Sequence, residues 1–152
     1  MNLITHNQLV KQAKKWLETT HGGKFACGVV LAEFSCRAPE IPDVIGFSAD
    51  RSILIECKVS RADFLRDKYK PHRNHIKKLG NYRYYLTLPN VACPEDIDNG
   101  WGLLYPTDKT IQEVKESEYF GDDSIKAREW SILYSIVRRL NLRGLLKDVQ
   151  ER

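Results

Sequence analysis

Long apolar runs and paired, metal-binding cysteines are both missing from this sequence. No stretch approaches the roughly 20 apolar residues that a membrane-spanning helix needs. The N-terminus also lacks the basic-then-apolar layout of a signal peptide. The four cysteines form no CxxC pair and have no histidine at zinc-like spacing; they are Cys27, Cys36, Cys57 and Cys93. We therefore expect a cytoplasmic protein with no membrane partner and with free, buried thiols.

Internal repeats, low-complexity segments and an interdomain linker are absent as well. The chain has 152 residues, of which 42% are hydrophobic and 29% are charged, a composition typical of globular and not of disordered proteins. This length suffices for one domain with a substantial core and is too short for two. We therefore predict a single domain over residues 1–152.

Acidic residues are scarce in one segment, residues 61–83, which holds eight Lys or Arg and only two acids. The whole chain has a net charge of +4, so the remainder is slightly acidic. Such a run is commonly a solvated face. The alternative is a contact surface for a phosphate backbone, because clustered cations release counterions there. The candidate nucleic-acid-binding residues are Arg61, Lys68, Lys70, Arg73, Lys77, Lys78 and Arg83.

Hydrophobic periodicity predicts helices packed on a central mixed β-sheet, which is an α/β fold. Thr5 and Gln8 fit a capping box at the start of the first helix. The last helix presents its apolar residues on one face; they are Trp130, Leu133, Val137 and Leu140. The predicted helices span residues 5–20, 60–67 and 124–141, and the predicted strands span 25–35, 43–47, 53–59, 82–88 and 101–106.

The strand predicted over residues 53–59 carries charged side chains on one face only. Because side chains alternate along a strand, Ile53, Ile55, Cys57 and Val59 share one apolar face that should pack on a helix. Cys57 is then a small core residue. Glu56 and Lys58 lie on the other face, with Leu54, and we expect that face to point away from the core.

The register of the hairpin places a second carboxylate near Glu56. If the turn is centred between Ala49 and Asp50, the numbers of paired residues add up to 99, and Asp43 lies opposite Glu56. Their Cβ atoms would be about 4.5–5.5 Å apart, where two like charges are destabilising. A Mg²⁺ ion between the two carboxylates would make their proximity favourable, because it binds through one or two carboxylates together with waters and phosphate oxygens.

Two carboxylates and Lys58 are a minimal set for metal-assisted phosphodiester cleavage. The metal polarises the phosphate and acidifies a bound water, while the lysine positions or deprotonates the nucleophile and offsets developing charge. The alternative is structural: Lys58 bridges Asp43 and Glu56 as an ion pair on an exposed sheet face.

The motif formed by Pro42 and Asp43, twelve intervening residues, and then Glu56, Cys57 and Lys58 resembles that of the PD-(D/E)XK nuclease superfamily. This superfamily includes many restriction and DNA-repair endonucleases. The predicted order of elements also resembles its restriction-endonuclease-like αβββαβ core. The resemblance covers residues 5–90, with a peripheral strand and helix over about 100–145.

The resemblance implies a Mg²⁺-dependent deoxyribonuclease, with Mn²⁺ as a substitute metal and DNA as the partner. It further implies that Asp43, Glu56 and Lys58 are catalytic and that Asp43 and Glu56 hold the metal, with the backbone carbonyl of Cys57. Glu33 is a further ligand candidate, because many members carry an acid upstream of the motif; an acid that ends a strand at the solvent edge is the competing account.

Small nuclease cores of this kind often act with a second copy or within a larger assembly, which the same resemblance implies here. The alternative function is a catalytically silent nucleic-acid-binding or accessory module on a nuclease-like fold. A third hypothesis is a regulatory protein whose basic run binds an acidic protein partner.

Overall fold

A six-stranded mixed sheet forms the centre of the computed structural model, which describes residues 3–36, 41–69 and 79–150. The spatial order of the strands follows their order in the chain. Neighbouring strands are antiparallel from β1 to β3, parallel from β3 to β5, and antiparallel again between β5 and β6. The strands are β1 (Val29–Ala32), β2 (Val44–Phe47), β3 (Ser52–Lys58), β4 (Tyr82–Thr87), β5 (Gly102–Pro106) and β6 (Ile111–Lys115).

Helices cover both faces of this sheet, which confirms the predicted α/β class. Thr5 accepts a hydrogen bond from the Gln8 N–H at 3.2 Å, and Gln8 Oε1 accepts one from the Thr5 N–H at 2.7 Å, so the predicted capping box is confirmed. Within the described ranges no helix is long and apolar enough to cross a membrane. The helices are α1 (His6–Thr19), α2 (Arg61–Lys68), α3 (Asp123–Leu142) and α4 (Leu146–Gln150), with a 3₁₀ turn at Pro94–Asp96.

The hairpin register predicted from the sequence is confirmed. Val44 pairs with Ile55 and Ile45 pairs with Leu54, so the numbers of paired residues add up to 99. The turn is closed by the Ser48 N–H, which donates to the carbonyl of Arg51 at 2.9 Å. The position of the turn therefore fixes which side chains of β2 and β3 share a face.

Strand β3 is buried on both faces, and this corrects the prediction that Glu56 and Lys58 point away from the core. Ile55 and its neighbours pack against α1, as predicted. On the other face, Leu54 packs with Phe64 of α2 and with Tyr85 of β4. Because β3 has a strand on each side and a helix over each face, all seven of its residues are buried.

Helix α3 packs through a different face from the predicted one. Its buried residues are Ile125, Glu129 and Ile132, and Ile132 contacts Ile45 of β2. Trp130, which was assigned to the apolar face, is 71% exposed. The buried face and the predicted face have the same helical spacing. The buried face was missed because it contains Glu129, and a carboxylate is not expected in a core. Its charge is accommodated by hydrogen bonds from neighbouring elements.

Two polar groups bond the Glu129 side chain inside the fold. Its Oε1 accepts from the Ser52 hydroxyl at 2.5 Å and from the Gly80 N–H at 2.8 Å. Burial nevertheless outweighs these bonds and raises the pKa of the Glu129 carboxyl above its ordinary value of 4.5. Glu129 thus ties α3 to the sheet at an electrostatic cost.

All four cysteines lie within the described residues, and none of them forms a disulfide bond. Cys57 is buried as predicted, and Cys27 and Cys36 are half-buried, with burial raising the pKa of Cys27 to about 11. The prediction is wrong for Cys93, which is exposed because it lies in the loop that leads into the 3₁₀ turn.

The sheet offers a matched test of its core. Val44 of β2 is fully buried and Val29 of β1 is 48% exposed. We expect Val44→Ala to lower the free energy of unfolding by about 2 kcal/mol through lost burial and a residual cavity. Val29→Ala should cost well under half as much, as measured by urea denaturation; equal losses would contradict the assigned packing.

The buried Glu129 carboxyl should make stability depend on pH. Because its pKa is raised in the folded protein, its stabilising contribution is present below the ordinary pKa and is lost as pH rises through the folded-state pKa. Glu129→Gln keeps an acceptor for Ser52 and Gly80 and removes this titration. The variant should therefore gain stability relative to the natural protein as the pH rises above the ordinary pKa of 4.5, as measured by urea unfolding at each pH; a relative loss would contradict this expectation.

Candidate active site

Asp43 lies directly before β2 and is held by two neighbouring groups. Its Oδ2 accepts a hydrogen bond from the backbone N–H of Cys57 at 2.8 Å. The same oxygen lies 3.3 Å from Nε2 of His6, the first residue of α1. Extending the observed hairpin register by one residue places Asp43 opposite Glu56. The structure therefore brings the two predicted carboxylates to one end of the hairpin.

The Asp43 carboxylate continues the hydrogen bonding of the sheet at the point where the β2 backbone no longer pairs with β3. β2 begins at Val44, and a buried strand N–H without an acceptor would cost free energy. The carboxylate supplies that acceptor for Cys57. One oxygen of Asp43 is therefore fixed by the fold.

Lys58 ends β3 as a buried cation between two carboxylates. Its Nζ lies 3.9 Å from Oε2 of Glu56 and 3.2 Å from Oδ1 of Asp67. The exposed fractions are 8% for Lys58, 5% for Glu56 and 2% for Asp67. Charges at this depth are tolerated only when they are paired and hydrogen-bonded. The alternative, in which Lys58 bridges Asp43 and Glu56 on an exposed sheet face, is therefore wrong about the exposure: the ammonium is buried, and it lies between Glu56 and Asp67.

Asp67 is a member of this cluster that the sequence did not reveal. Ser60 follows β3 closely and starts α2 by accepting a hydrogen bond from the Asp63 N–H at 3.2 Å. Phe64 and Asp67 lie three residues apart, so both face the sheet. Asp67 Oδ2 also accepts from the hydroxyl of Tyr85 at 3.3 Å. In the sequence, the burial of Asp67 is indicated by its position three residues after Phe64, on the same face of the helix.

His6 is a second residue that the sequence did not reveal. It begins α1, which puts its imidazole at the end of the sheet where Asp43 lies. Its side chain is about one-third exposed. Nothing in the local sequence marks it, because the contact depends on how α1 crosses the sheet.

The pKa of the Cys57 thiol is shifted by burial and by the charges around it. Burial, followed by the negative charges of Asp43 and Glu56, raises its pKa well above the ordinary value, and Lys58 acts in the opposite direction. The charge of Glu33 also contributes to the rise. The four side chains predicted for catalysis or metal binding, Asp43, Glu56, Lys58 and Glu33, therefore all influence the thiol of Cys57. The neutral thiol is a core group, as predicted, and not a nucleophile.

Glu33 lies beside Asp43 through its backbone. Its N–H donates to the Asp43 carbonyl at 3.0 Å, and its φ of 50° is in the left-handed region. A residue other than glycine adopts this conformation at a cost of roughly 1–2 kcal/mol. The side chain is exposed and follows the end of β1. The chain geometry thus holds Glu33 at the rim of the site.

The magnesium site expected from the sequence stays a prediction. Among the residues that the structure describes, no group of three or more His, Cys, Asp and Glu side chains could hold a metal ion. Mg²⁺, however, uses only one or two protein carboxylates and completes its shell with water and phosphate oxygens. Asp43 and Glu56 remain the two carboxylates predicted for such a site, with the carbonyl of Cys57 as the predicted backbone ligand.

Two of the predicted nucleic-acid-binding residues are engaged with acidic partners at the surface. Arg61 forms a two-pronged pair with Asp96, at 2.5 and 2.7 Å, and this pair holds the pKa of the Asp96 carboxyl well below its usual range. Lys68 Nζ lies 3.2 Å from Asp98 and donates to the Asp96 carbonyl at 2.5 Å.

Arg83 is placed inside the fold and not on a basic surface. It is 6% exposed, and its Nε donates to the carbonyls of Leu79 and Gly80 at 3.0 and 3.1 Å. Its guanidinium stacks on Phe120 at 4.1 Å. Arg83 therefore stabilises the turn at Leu79 and Gly80 that leads into β4. Lys70, Arg73, Lys77 and Lys78 lie outside the described residues.

No family model matches the chain, and no curated protein matches it. A solved structure is similar over 100% of this chain and 97% of its own: the SPO1766 protein of unknown function from Silicibacter pomeroyi. The TM-score is 0.62 and the sequences are 20% identical. The likeness is one of fold. It supports the α/β architecture and assigns no chemistry to the site.

The buried cluster predicts a large effect of removing its cation. Lys58→Met takes away the ammonium that Glu56 and Asp67 share, and we expect a loss of about 3–5 kcal/mol in the free energy of unfolding. Lys11→Met, on the exposed side of α1, is the matched control and should stay within about 0.5 kcal/mol.

Adding Asp67→Asn to Lys58→Met should recover part of the lost stability, because it removes one of the two buried negative charges. Urea denaturation of all variants at one pH measures these effects. A Lys58→Met protein as stable as the control would show that the cation does not stabilise the cluster.

Proposed function

We propose that this protein is a Mg²⁺-dependent nuclease that cleaves phosphodiester bonds in DNA, acting in the cytoplasm as an endonuclease of a repair, recombination or restriction type. One observation carries the proposal: a buried lysine ammonium lies at the end of β3, beside Glu56, at the end of the hairpin where Asp43 is the cross-strand neighbour of that glutamate. Placing these charges in the interior costs free energy, and active sites are where folds bear that cost.

The order of elements supports the same proposal. α1, β1, β2, β3, α2 and β4 follow one another in the order of the αβββαβ core of the PD-(D/E)XK superfamily. The sequence motif falls where that core would use it, with Asp43 before β2 and Lys58 at the last position of β3. We therefore assign the restriction-endonuclease-like core as part of the proposal.

Asp43 and Glu56 would hold the metal, and the bound Mg²⁺ would polarise a phosphate oxygen and acidify a water. The Cys57 N–H fixes one oxygen of Asp43, and His6 lies against the same oxygen, so the carboxylate is oriented before any substrate arrives. The ammonium of Lys58 can donate to a phosphate oxygen and offset charge that develops there.

Asp67 is a positioning residue in this scheme. It lies 3.2 Å from Lys58 Nζ on the side of α2 and accepts a hydrogen bond from Tyr85, so it restrains the ammonium through a contact that is itself held. The ammonium is thus held at the end of β3, where it could offset charge that develops on a phosphate.

The test is cleavage of plasmid, single-stranded and branched DNA with and without Mg²⁺ or Mn²⁺. Lys58→Ala and Asp43→Ala should each lower the rate by at least about 100-fold. Asp50→Ala is the matched control, because Asp50 is an exposed aspartate in the turn of the same hairpin. Cleavage that persists in both variants would refute the proposal. So would a natural protein that cleaves none of these substrates.

The second candidate function is a nucleic-acid-binding or accessory module without turnover. Lys58 is closer to Asp67 than to Glu56, and Asp43 already accepts a hydrogen bond from the backbone, so the charges also have internal partners. This function predicts salt-sensitive DNA binding without cleavage and no rise in melting temperature with Mg²⁺. A rise that Asp43→Asn abolishes would favour the nuclease.

A further inference from the structure

A groove lies between α3 and the segment that follows β1. Its volume is about 740 Å³, which is within the range of about 300–1,000 Å³ for pockets that hold small ligands. Ser35 lines one side, and α3 lines the other with Trp130, Tyr134, Arg138 and Arg139. The chemistry proposed above for the site makes no use of these side chains.

Two aromatic rings of α3 are exposed at this groove. Trp130 is 71% exposed and Tyr134 is 58% exposed. Because they lie four residues apart, they are neighbours on one face of the helix, about 6 Å apart along its axis. Exposed rings beside a basic groove are what proteins use to stack on the bases of single strands. In a duplex the bases stack on one another and are not available to such rings.

The groove carries positive charge. Arg138 and Arg139 line it, and residues 130–147 include four basic residues and no acidic one. Arg139 is held in place, since its Nη2 donates to the Ser35 carbonyl at 2.8 Å and its guanidinium lies 4.4 Å from the centre of the Phe34 ring. Arg138 is exposed and forms no hydrogen bond or ion pair with the residues that the structure describes. Its charge is therefore available to neutralise a phosphate.

The acidic residues of α3 lie away from the groove. Asp122 and Asp123 are at the start of the helix, about two turns before the groove begins, and Lys126 and Arg128 follow them. Glu129 is buried against the sheet. The first half of α3 thus has no excess of positive charge, and the cations are concentrated in the half that lines the groove.

α3 lies on the same face of the sheet as the candidate active site. It packs on the sheet through Ile132, in one cluster with Ile45 of β2. Ile45 pairs with Leu54 of β3, and paired residues of neighbouring strands share a face. Leu54, Glu56 and Lys58 alternate onto that face of β3. A ligand held along α3 therefore lies on the side of the sheet to which Glu56 and Lys58 belong.

The groove also lies toward the end of the sheet where the candidate site is. β1 and β3 are both antiparallel to β2, so Glu33, after β1, and Lys58, at the end of β3, are at the same end. The Glu33 N–H donates to the Asp43 carbonyl at 3.0 Å. Ser35 follows two residues later, so its Cα is at most about 7 Å from that of Glu33. A strand bound in the groove would thus reach the site within a few nucleotides.

We propose that this groove binds single-stranded DNA next to the scissile phosphodiester, with Trp130 and Tyr134 stacking on bases and Arg138 neutralising a phosphate. The inference rests on the proposed nuclease function and specifies its substrate as DNA with a single-stranded segment. Arg139 is a positioning residue that joins α3 to the segment after β1. The groove is separate from the basic run at residues 61–83, in which Arg61 and Lys68 already have acidic partners.

Binding is measured without divalent metal, so that it is tested apart from cleavage. In fluorescence anisotropy, a labelled oligodeoxythymidine of about 12 nucleotides should bind more tightly than its duplex with the complementary strand. Trp130→Ala and Tyr134→Ala should each raise the dissociation constant about fivefold or more. Trp130→Phe should retain most of the affinity because it keeps a ring. Tyr119→Ala is the matched control, since Tyr119 is 57% exposed and lies against Tyr82 at the start of β4.

The dependence of binding on salt tests the role of Arg138. Arg138→Gln should reduce the slope of log Kd against log salt concentration by about 0.7, the change expected when one phosphate contact to a single strand is lost. Lys126→Gln is the matched control, because Lys126 is an exposed cation of the same helix outside the groove lining, and it should leave the slope unchanged. Circular dichroism shows whether each variant is folded.

The outcomes separate this inference from the proposed function. A duplex that binds as tightly as the single strand, or Tyr134→Ala binding with the affinity of Tyr119→Ala, would overturn the assignment of the groove. If Mg²⁺-dependent cleavage is lost in Lys58→Ala but unchanged in the groove variants, the nuclease stands and the groove assignment fails. Binding that depends on the groove residues, without cleavage in any metal, would support the groove and overturn the nuclease.

Discussion

The buried ammonium of Lys58 is the constraint on which the surrounding structure depends. A cation inside a protein requires carboxylates within a few ångströms, and here they come from two elements: Glu56 from the same strand and Asp67 from α2. The cluster therefore fixes how α2 returns over the sheet after β3. Tyr85 of β4, which pairs with Glu56 in the sheet, bonds Asp67 and closes the arrangement.

The hairpin could be predicted from the sequence because it obeys local rules. Alternation identified the face of β3 that packs on α1, and the turn position gave the register that brings Asp43 opposite Glu56. The capping residues Thr5 and Gln8 located the start of α1 in the same way. These features are encoded within a few residues of where they act, so they need no knowledge of the tertiary fold.

The errors occurred where two patterns competed or where contacts were distant. α3 has two stripes of equal spacing, and a tertiary pocket for Glu129 decided which one is buried. Asp67 lies in a short helix with little amphipathic character, so its burial depends on Phe64 and the sheet. Arg83 belongs to the basic run in the sequence, yet it is buried, because its side chain donates to the carbonyls of Leu79 and Gly80 in the turn before β4.

The left-handed turn at Glu33 has a consequence for association between sheets. β1 is the terminal strand of the sheet and is only four residues long. A chain that bends sharply at its end, directly beside Asp43, presents no long straight edge for another strand to join. The short length of β1 and the turn at Glu33 thus leave little straight backbone at this edge of the sheet with which another strand could pair.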